Sequence, residues 1–430
     1  MEQGPKSDVR YAKARNPLGF LYFALGLFMV VYFIRPQDWI PGLSSVPFAK
    51  ITGIIMLLAL GFSFPNISRH VPQEVALLSL LLLQLWLAAA FSPIWKGGAI
   101  NAMLEFSKAL LVVIVIFAAV RSMKQLHWVL FMQAASMAII AISSIVAAKV
   151  AAGRLQGVTG LYGNSNDLAL SIDLSLPLCL ALALSTKSYW NKFAWTMAML
   201  AMIYAVVLTA SRGGAIALVV AVMVCVWQLG VRERRFYLLL LVPVVMVGIW
   251  LYSGTALEQR FEQTNIDSAT GGRATEASGS VEQRRQLLNQ SLRVTAQHPF
   301  FGVGPGNFVI MSGMWRVSHN SYTQVSAEGG VAAFVLYLLI LWRAVSNLRA
   351  VRRYRKAEKQ TRLFSMALEA TLSAYLVGSF FASVAYQMFP YFLVAYTGVL
   401  RLLVQRKRTK STLPAETNSA PAEIEVTVWR

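Results

Sequence analysis

"ATLSAYLVGSFFASVAYQMFPYFLVAYTGVL", residues 370–400, runs for 31 positions without a charged side chain. As one straight helix it would reach about 46 Å at 1.5 Å per residue, well past a bilayer core of roughly 30 Å. Gln387 and Pro390 are the only marked interruptions, so the run reads as two membrane helices, 366–385 and 388–404, joined by a tight turn. The rest of the chain has the same character. Of 430 residues, 57% are hydrophobic and only 13% charged, with mean hydropathy +0.56, a balance foreign to a soluble domain of this size. Apolar segments of spanning length bounded by charge or turn residues recur at 17–34, 48–64, 75–92, 104–120, 128–148, 167–185, 193–210, 213–230, 236–254 and 323–342. The expectation is an all-α polytopic membrane protein of about 12 transmembrane helices. A basic arm (1–16) precedes the membrane domain (17–404), and a tail (405–430) rich in Thr, Ala, Pro and Glu reads as disordered. The first segment is long for a signal peptide and lacks a clear cleavage site, which makes it a retained anchor.

A net charge of +20 could signal nucleic acid, but the placement of the basic residues answers to topology. With the N-terminus inside, 26 of the 39 Lys and Arg residues fall in inner segments. Six of the remaining 13 lie in one long outer loop, 254–322, which is long enough to escape the positive-inside rule. The partners implied are membrane lipids, not nucleic acid. Cys179 and Cys225 sit in apolar runs and read as core residues, and no HExxH, DxD or Cys/His cluster indicates a metal or other cofactor.

The outer loop has structure of its own. Along "VEQRRQLLNQSLRVTAQ" (281–297) apolar residues recur at helical spacing, which suits a short helix lying on the bilayer surface with its arginines in water. "HPFFGVGPGNF" (298–308) is a turn-dense segment able to bring backbone close to a ligand. Its glycines do not make a dinucleotide site, because no βαβ unit surrounds them.

Charged residues on the outer side are few. Arg212 in "LTASRGGAIAL" (208–218) joins two spans with almost no loop, so its guanidinium either snorkels to headgroups or serves a site. Arg154, in the Gly- and Asn-rich "GRLQGVTGLYGNSND" (153–167), carries the same pair of readings. Asp173 is a candidate buried counter-ion for one of these arginines. His319 stands where the long loop meets the tenth span, followed by Asn320, Ser321 and Gln324, with Glu328 nine residues on. A polar helix start at that depth makes sense if it lines a wet cavity. Glu328 lies about 2.5 turns from His319, on the far side of a straight helix, and is better placed to hold an arginine than the imidazole. Arginines clamp phosphates and a histidine can accept a proton from a hydroxyl, so a phosphate-linked donor and a hydroxyl acceptor would use both.

"RPQDWIPGL" (35–43), "GLYGNSNDLA" (160–169), "TASRGGAIAL" (209–218), "HPFFGVGPGNF" and "HNSYTQVSAEGGVAAFVLY" (319–337), in this order, resemble the O-antigen ligase and polymerase superfamily of bacterial envelope glycosyltransferases. The resemblance runs from about residue 17 to 404. It implies transfer of a glycan from undecaprenyl pyrophosphate, on the periplasmic side of the inner membrane, without metal or nucleotide sugar. In the ligases the acceptor is a sugar of the lipid A core. It also implies that His319 is the essential histidine, Arg212 the short-loop arginine, and Arg284 or its neighbour Arg285 the loop arginine. Arg154 joins these as a third candidate for the pyrophosphate, with Asn166, Asn320 and Glu328 as positioning residues. A monomer is expected. The "RPQDW" stretch resembles a subgroup proposed to glycosylate proteins, which leaves polymerase and protein-ligase alternatives beside the lipid A core ligase. From another class, twelve spans also suit a secondary transporter, although no half of the chain resembles the other.

Overall fold

The computed structural model describes residues 18–66, 71–148, 150–151, 154–248, 276–354 and 357–412, with side chains omitted at 151, 276–281 and 410–412. The basic arm, most of the tail, His70 and the first part of the long loop lie outside these. Helices account for nearly all of the described chain: α1 (Gly19–Ile34), α2 (Phe48–Ser63), α3 (Gln73–Ala90), α4 (Lys96–Ala119), α5 (Met123–Ala147), α6 (Ser165–Asp173), α7 (Leu176–Ser185), α8 (Tyr189–Leu208), α9 (Arg212–Cys225), α10 (Phe236–Gly248), α11 (Glu276–Gln297), α12 (Phe308–Met311), α13 (Ser321–Arg353), α14 (Lys359–Gly378) and α15 (Phe389–Thr412). The one described sheet pairs Val150–Ala151 antiparallel with Arg154–Leu155.

Eight helical segments among the described residues are long and apolar enough to cross a membrane, and the chain is a multi-pass membrane protein. Of the other four expected spans, α15 carries basic residues from Arg401 onward in its C-terminal half, and the remaining three fall short of that measure for two reasons. At 16 and 13 described residues, α2 and α10 are apolar but would cover only about 24 and 20 Å. Along α14 nearly every residue from Leu363 to Tyr375 is packed away inside the bundle, against α9 and α7, so it need not be as apolar as a lipid-facing helix. The uncharged run does divide in two, through a turn at 379–388. Helix α15 continues past 404 to Thr412, so residues 405–412 of the expected tail are helical. Arg406, Lys407 and Arg408 lie in its final turns, where cations favour a helix C-terminus, and Lys407 pairs with Glu358 at 2.6 Å.

Two spans are broken. The sixth is α6 and α7, separated at Leu174–Ser175 before Pro177, and is almost wholly enclosed by other helices. The tenth, α13, is interrupted at Gly330, where φ is +79° and ψ −179°. That geometry removes the three ladder bonds that would cross residue 330, leaving the carbonyls of Ala327, Glu328 and Gly329 to find other donors. Val303 N–H donates to Ala327 O and Gly304 N–H to Glu328 O, both at 2.9 Å, and the Gln84 amide donates to Gly329 O at 3.1 Å. In exchange Val331 N–H donates to Pro299 O at 2.8 Å. The Gly-rich segment 298–307 therefore supplies the hydrogen bonds that make the break tolerable in a membrane protein. A Cβ on Gly330 would meet Phe300 O at 2.5 Å in a backbone region that is essentially glycine-only. Gly330→Ala is expected to lose about 3 kcal/mol or more, read as a lowered midpoint of thermal unfolding in detergent. Gly53→Ala, where nothing lies within 4 Å in mid-helix, should hold or gain stability. Equal midpoints for the two variants would refute this account of the break.

Candidate functional site

The turn that divides the opening run is also the floor of the site. Ser321, the first residue of α13, donates its N–H to Ser379 O at 2.8 Å and its hydroxyl to Ala382 O at 2.7 Å, and accepts from Val384 N–H at 3.0 Å. Phe381 of the same turn backs the start of α9: a Cβ on Gly213 would lie 2.5 Å from Phe381 Cβ, so only glycine lets the Arg212 end approach this closely. Two segments far apart in sequence, one carrying Arg212 and the other His319, thus rest on one short turn.

His319 adopts a left-handed backbone (φ +52°) and ends a loop, 312–320, in which Gly313 and Trp315 are left-handed as well. Asn320 caps α13, accepting from Tyr322 N–H at 2.9 Å and Thr323 N–H at 3.1 Å, which fixes the residue beside the histidine. The imidazole is largely buried. Burial, together with the positive charges of Arg284 and Arg316, lowers its pKa from 6.5 to about 4. It is therefore a neutral base at physiological pH. Arg284 is partly buried, and desolvation plus the charge of Arg212 lower its pKa in turn, although a guanidinium stays protonated. Arg212 is exposed at the N-terminus of α9, whose positive dipole end adds to the field there.

Arg212, Arg284 and His319 are thus brought together. Arg285 is not: it is exposed, on the neighbouring stripe of α11. Arg284 shares its stripe with Leu287, Ser291 and Val294, all buried, the two apolar ones against Val303, Phe308 and Ala327. This corrects the bilayer-surface expectation for 281–297. The helix packs on α13 with Arg284 turned toward the site, and of its apolar positions Leu288 and Leu292 stay exposed.

Arg154 has donors committed to the protein. Its Nε donates to Thr209 O at 2.9 Å and its Nη2 to the Asn166 amide oxygen at 2.8 Å, which also accepts from the Ser211 hydroxyl at 2.8 Å. Arg154 and Asn166 therefore brace residues 209–211, the lead into Arg212. Asp173 is no counter-ion to these arginines: seven residues further along α6, about 10 Å deeper, it is fully buried with both carboxylate oxygens lacking a hydrogen-bond partner. Glu328 holds no arginine either. The break at Gly330 buries it under the Gly-rich turn, where it accepts from Phe308 N–H at 3.3 Å and belongs to the support of the site. "RPQDW" is also a brace: Asp38 pairs with Arg35 at 3.0 Å and accepts from Gly160 N–H at 2.9 Å, tying the end of α1 to the loop before α6. That structural task accounts for the motif without reference to an acceptor. Among the described residues no three His, Cys, Asp or Glu side chains gather in a way that could hold a metal ion.

Residues 197–338, from α8 into the membrane-spanning part of α13, match the family model described as O-antigen ligase. This third of the chain is similar to the O-antigen ligase family. The match spans about a third of the chain and contains Arg212, Arg284 and His319, while Arg154 and Asn166 lie before it. No curated protein matches the chain. That similarity, together with the membrane helices, supports a glycosyltransferase-like O-antigen ligase or polymerase of lipopolysaccharide biosynthesis over a transporter.

Proposed function

We propose that this protein transfers O-antigen glycan from undecaprenyl pyrophosphate to a sugar of the lipid A core, at the periplasmic face of the bacterial inner membrane. One observation carries the reading: a neutral, left-handed His319 stands beside a guanidinium cluster that no acidic side chain neutralises among the described residues. The acceptor hydroxyl gives its proton to the imidazole and its oxygen attacks the anomeric carbon from the face opposite the lipid. The bond from that carbon to the pyrophosphate oxygen breaks with its electron pair, inverting the anomeric centre. Arg212 and Arg284 receive the charge that grows on the leaving pyrophosphate, aided by the N-terminus of α9. Arg154 and Asn166 act through them by holding residues 209–211, and Asn320 and Glu328 act by fixing the segment on either side of the break.

The test is purified protein supplied with lipid-linked glycan and, separately, lipid A core, a second glycan chain or a protein. Transfer to the core alone is the expected result. Transfer only to a glycan chain would make it a polymerase, and transfer only to a protein would make it a protein ligase. Sidedness has its own test, since basic residues crowd the end of the bundle opposite the site. Cysteines replacing the exposed Asn289 on α11 and Gln360 on α14 should label from opposite sides of the inner membrane, Asn289 from the periplasm. Labelling of both from one side would rule out a periplasmic site.

A further inference from the structure

Helices α1 and α5 enclose a groove that no step of the mechanism uses. On α1, Tyr22, Gly26 and Val30 follow one another at four-residue intervals, and on α5 Lys124, Trp128 and Met132 do the same, so each set is one stripe and the two stripes form the walls. The space between them is about 500 Å³ and almost wholly apolar in lining. Gly26 gives it depth, since the first carbon of any other side chain would already stand 3.7 Å from the Trp128 ring. It opens outward, where Phe23 and Trp128 are exposed on the face of the bundle. At one end Tyr22 donates its hydroxyl to Gln125 O at 3.2 Å and ties the helices together. Both helices start at that end. Their far ends lead to the Asp38–Gly160 brace and to Arg154, so the groove begins at the end of the bundle opposite the candidate site.

From Tyr22 to Val30, as from Lys124 to Met132, the groove is about 12 Å long, close to the depth of one leaflet in a hydrocarbon core of roughly 30 Å. In a multi-pass membrane protein such a surface meets hydrocarbon, and a groove of this length suits a chain that enters from the near interface. Lys124 stands at that mouth, exposed and with no ion pair among the described residues, and Arg121 is exposed three residues earlier. Tyr22 and Trp128 combine an apolar ring with a polar tip, which suits the boundary between headgroups and acyl chains. A lipid whose chain fills the groove therefore presents its headgroup to a cationic rim. We propose that the groove between α1 and α5 binds one anionic phospholipid of the leaflet opposite the site, with an acyl chain between Gly26 and Trp128 and its phosphate on Lys124. Position separates this lipid from the glycan donor, whose pyrophosphate belongs at the other end of α5, about 37 Å away along its 25 residues. The proposal is independent of which acceptor the site uses.

The experiment titrates the purified full-length protein in detergent with phosphatidylglycerol, or with phosphatidylethanolamine of the same chains, and reads bound lipid by native mass spectrometry. The wild type should retain one phosphatidylglycerol more tightly than phosphatidylethanolamine. Lys124→Gln should weaken phosphatidylglycerol by about fivefold, the worth of one basic residue beside an anionic headgroup. Gly26→Leu, which puts a side chain into the groove, should abolish the retained lipid, whereas Gly26→Ala, whose added carbon makes only ordinary contact with Trp128, should keep it. Met132→Trp fills the groove from the other wall and keeps the test decisive should Gly26→Leu fail to fold, as judged by helical content and elution as a single species. Equal retention of the two lipids by the wild type, a Lys124→Gln variant that binds as the wild type does, or undiminished phosphatidylglycerol on the groove-filling variants would overturn the proposal. So would displacement of phosphatidylglycerol by a lower concentration of undecaprenyl phosphate, which would assign the groove to a polyprenyl chain. A dimer in the same spectra that the groove-filling variants break would overturn it too, making the groove an interface between copies.

Discussion

His319→Ala should slow glycan transfer by about 10²- to 10⁴-fold while donor binding and abundance stay near those of the wild type, the range expected for loss of a general base. The side chain supports little of the fold, since the hydrogen bonds at the start of α13 come from Asn320 and Ser321. Its left-handed φ is one that alanine tolerates less well than glycine, so His319→Gly is the control for backbone strain. The pH profile gives a second readout. With its pKa lowered to about 4, the imidazole is the competent neutral base above that value and is lost as pH falls through it. The acidic limb of kcat/KM, which reports the free enzyme, should therefore lie near pH 4 and not near 6.5. Bound pyrophosphate offsets the positive charges that help depress the pKa, so the corresponding limb of kcat should lie at higher pH. Near-normal turnover in the alanine variant would end the case for a base at this position. A kcat/KM limb near 6.5 would mean the imidazole is not enclosed as described.

Arg212→Lys is expected to insert and accumulate normally but to transfer glycan about 10- to 100-fold more slowly, the loss of one or two charge-assisted hydrogen bonds. A residue that only snorkels needs a long stem and a positive end, which lysine provides. A pyrophosphate clamp needs the planar fork, which lysine lacks although its charge is the same. Arg284→Lys should show a similar or smaller deficit, and Arg285→Lys should be close to silent since its side chain is exposed on the neighbouring stripe of α11. Complementation of a null strain, with the lipopolysaccharide ladder read beside protein abundance, checks all three. A full ladder from Arg212→Lys would remove the pyrophosphate from the start of α9.

Periodicity and charge make the membrane architecture legible, including the division of 370–400, because hydrocarbon imposes length and apolarity on every span that faces it. They do worst on α14, whose enclosed position frees it from that demand. At the site, Arg212 and His319 stand out as costly polar residues at span ends. The choice between Arg284 and Arg285 was also written in the helix, since 284, 287, 291 and 294 form one stripe, but only the packing shows which stripe faces protein. A straight helix through Gly329–Gly330 would turn Glu328 toward an arginine, but this pair of glycines marks the break that buries it under the Gly-rich turn. For Asp173, the sequence does not show depth in the bundle, which separates it from the arginines.

The interruption of α13 has a mechanical consequence. A membrane helix answers changes in bilayer thickness by tilting, and an unbroken 33-residue helix would carry that tilt straight to the histidine at its head. Here the short segment 321–329 is bonded sideways to the Gly-rich turn and to α3, and not lengthwise through the ladder to residues 331–353. Head and shaft are thus not one continuous hydrogen-bonded rod, and a tilt of residues 331–353 need not pass through the ladder to the histidine at its head.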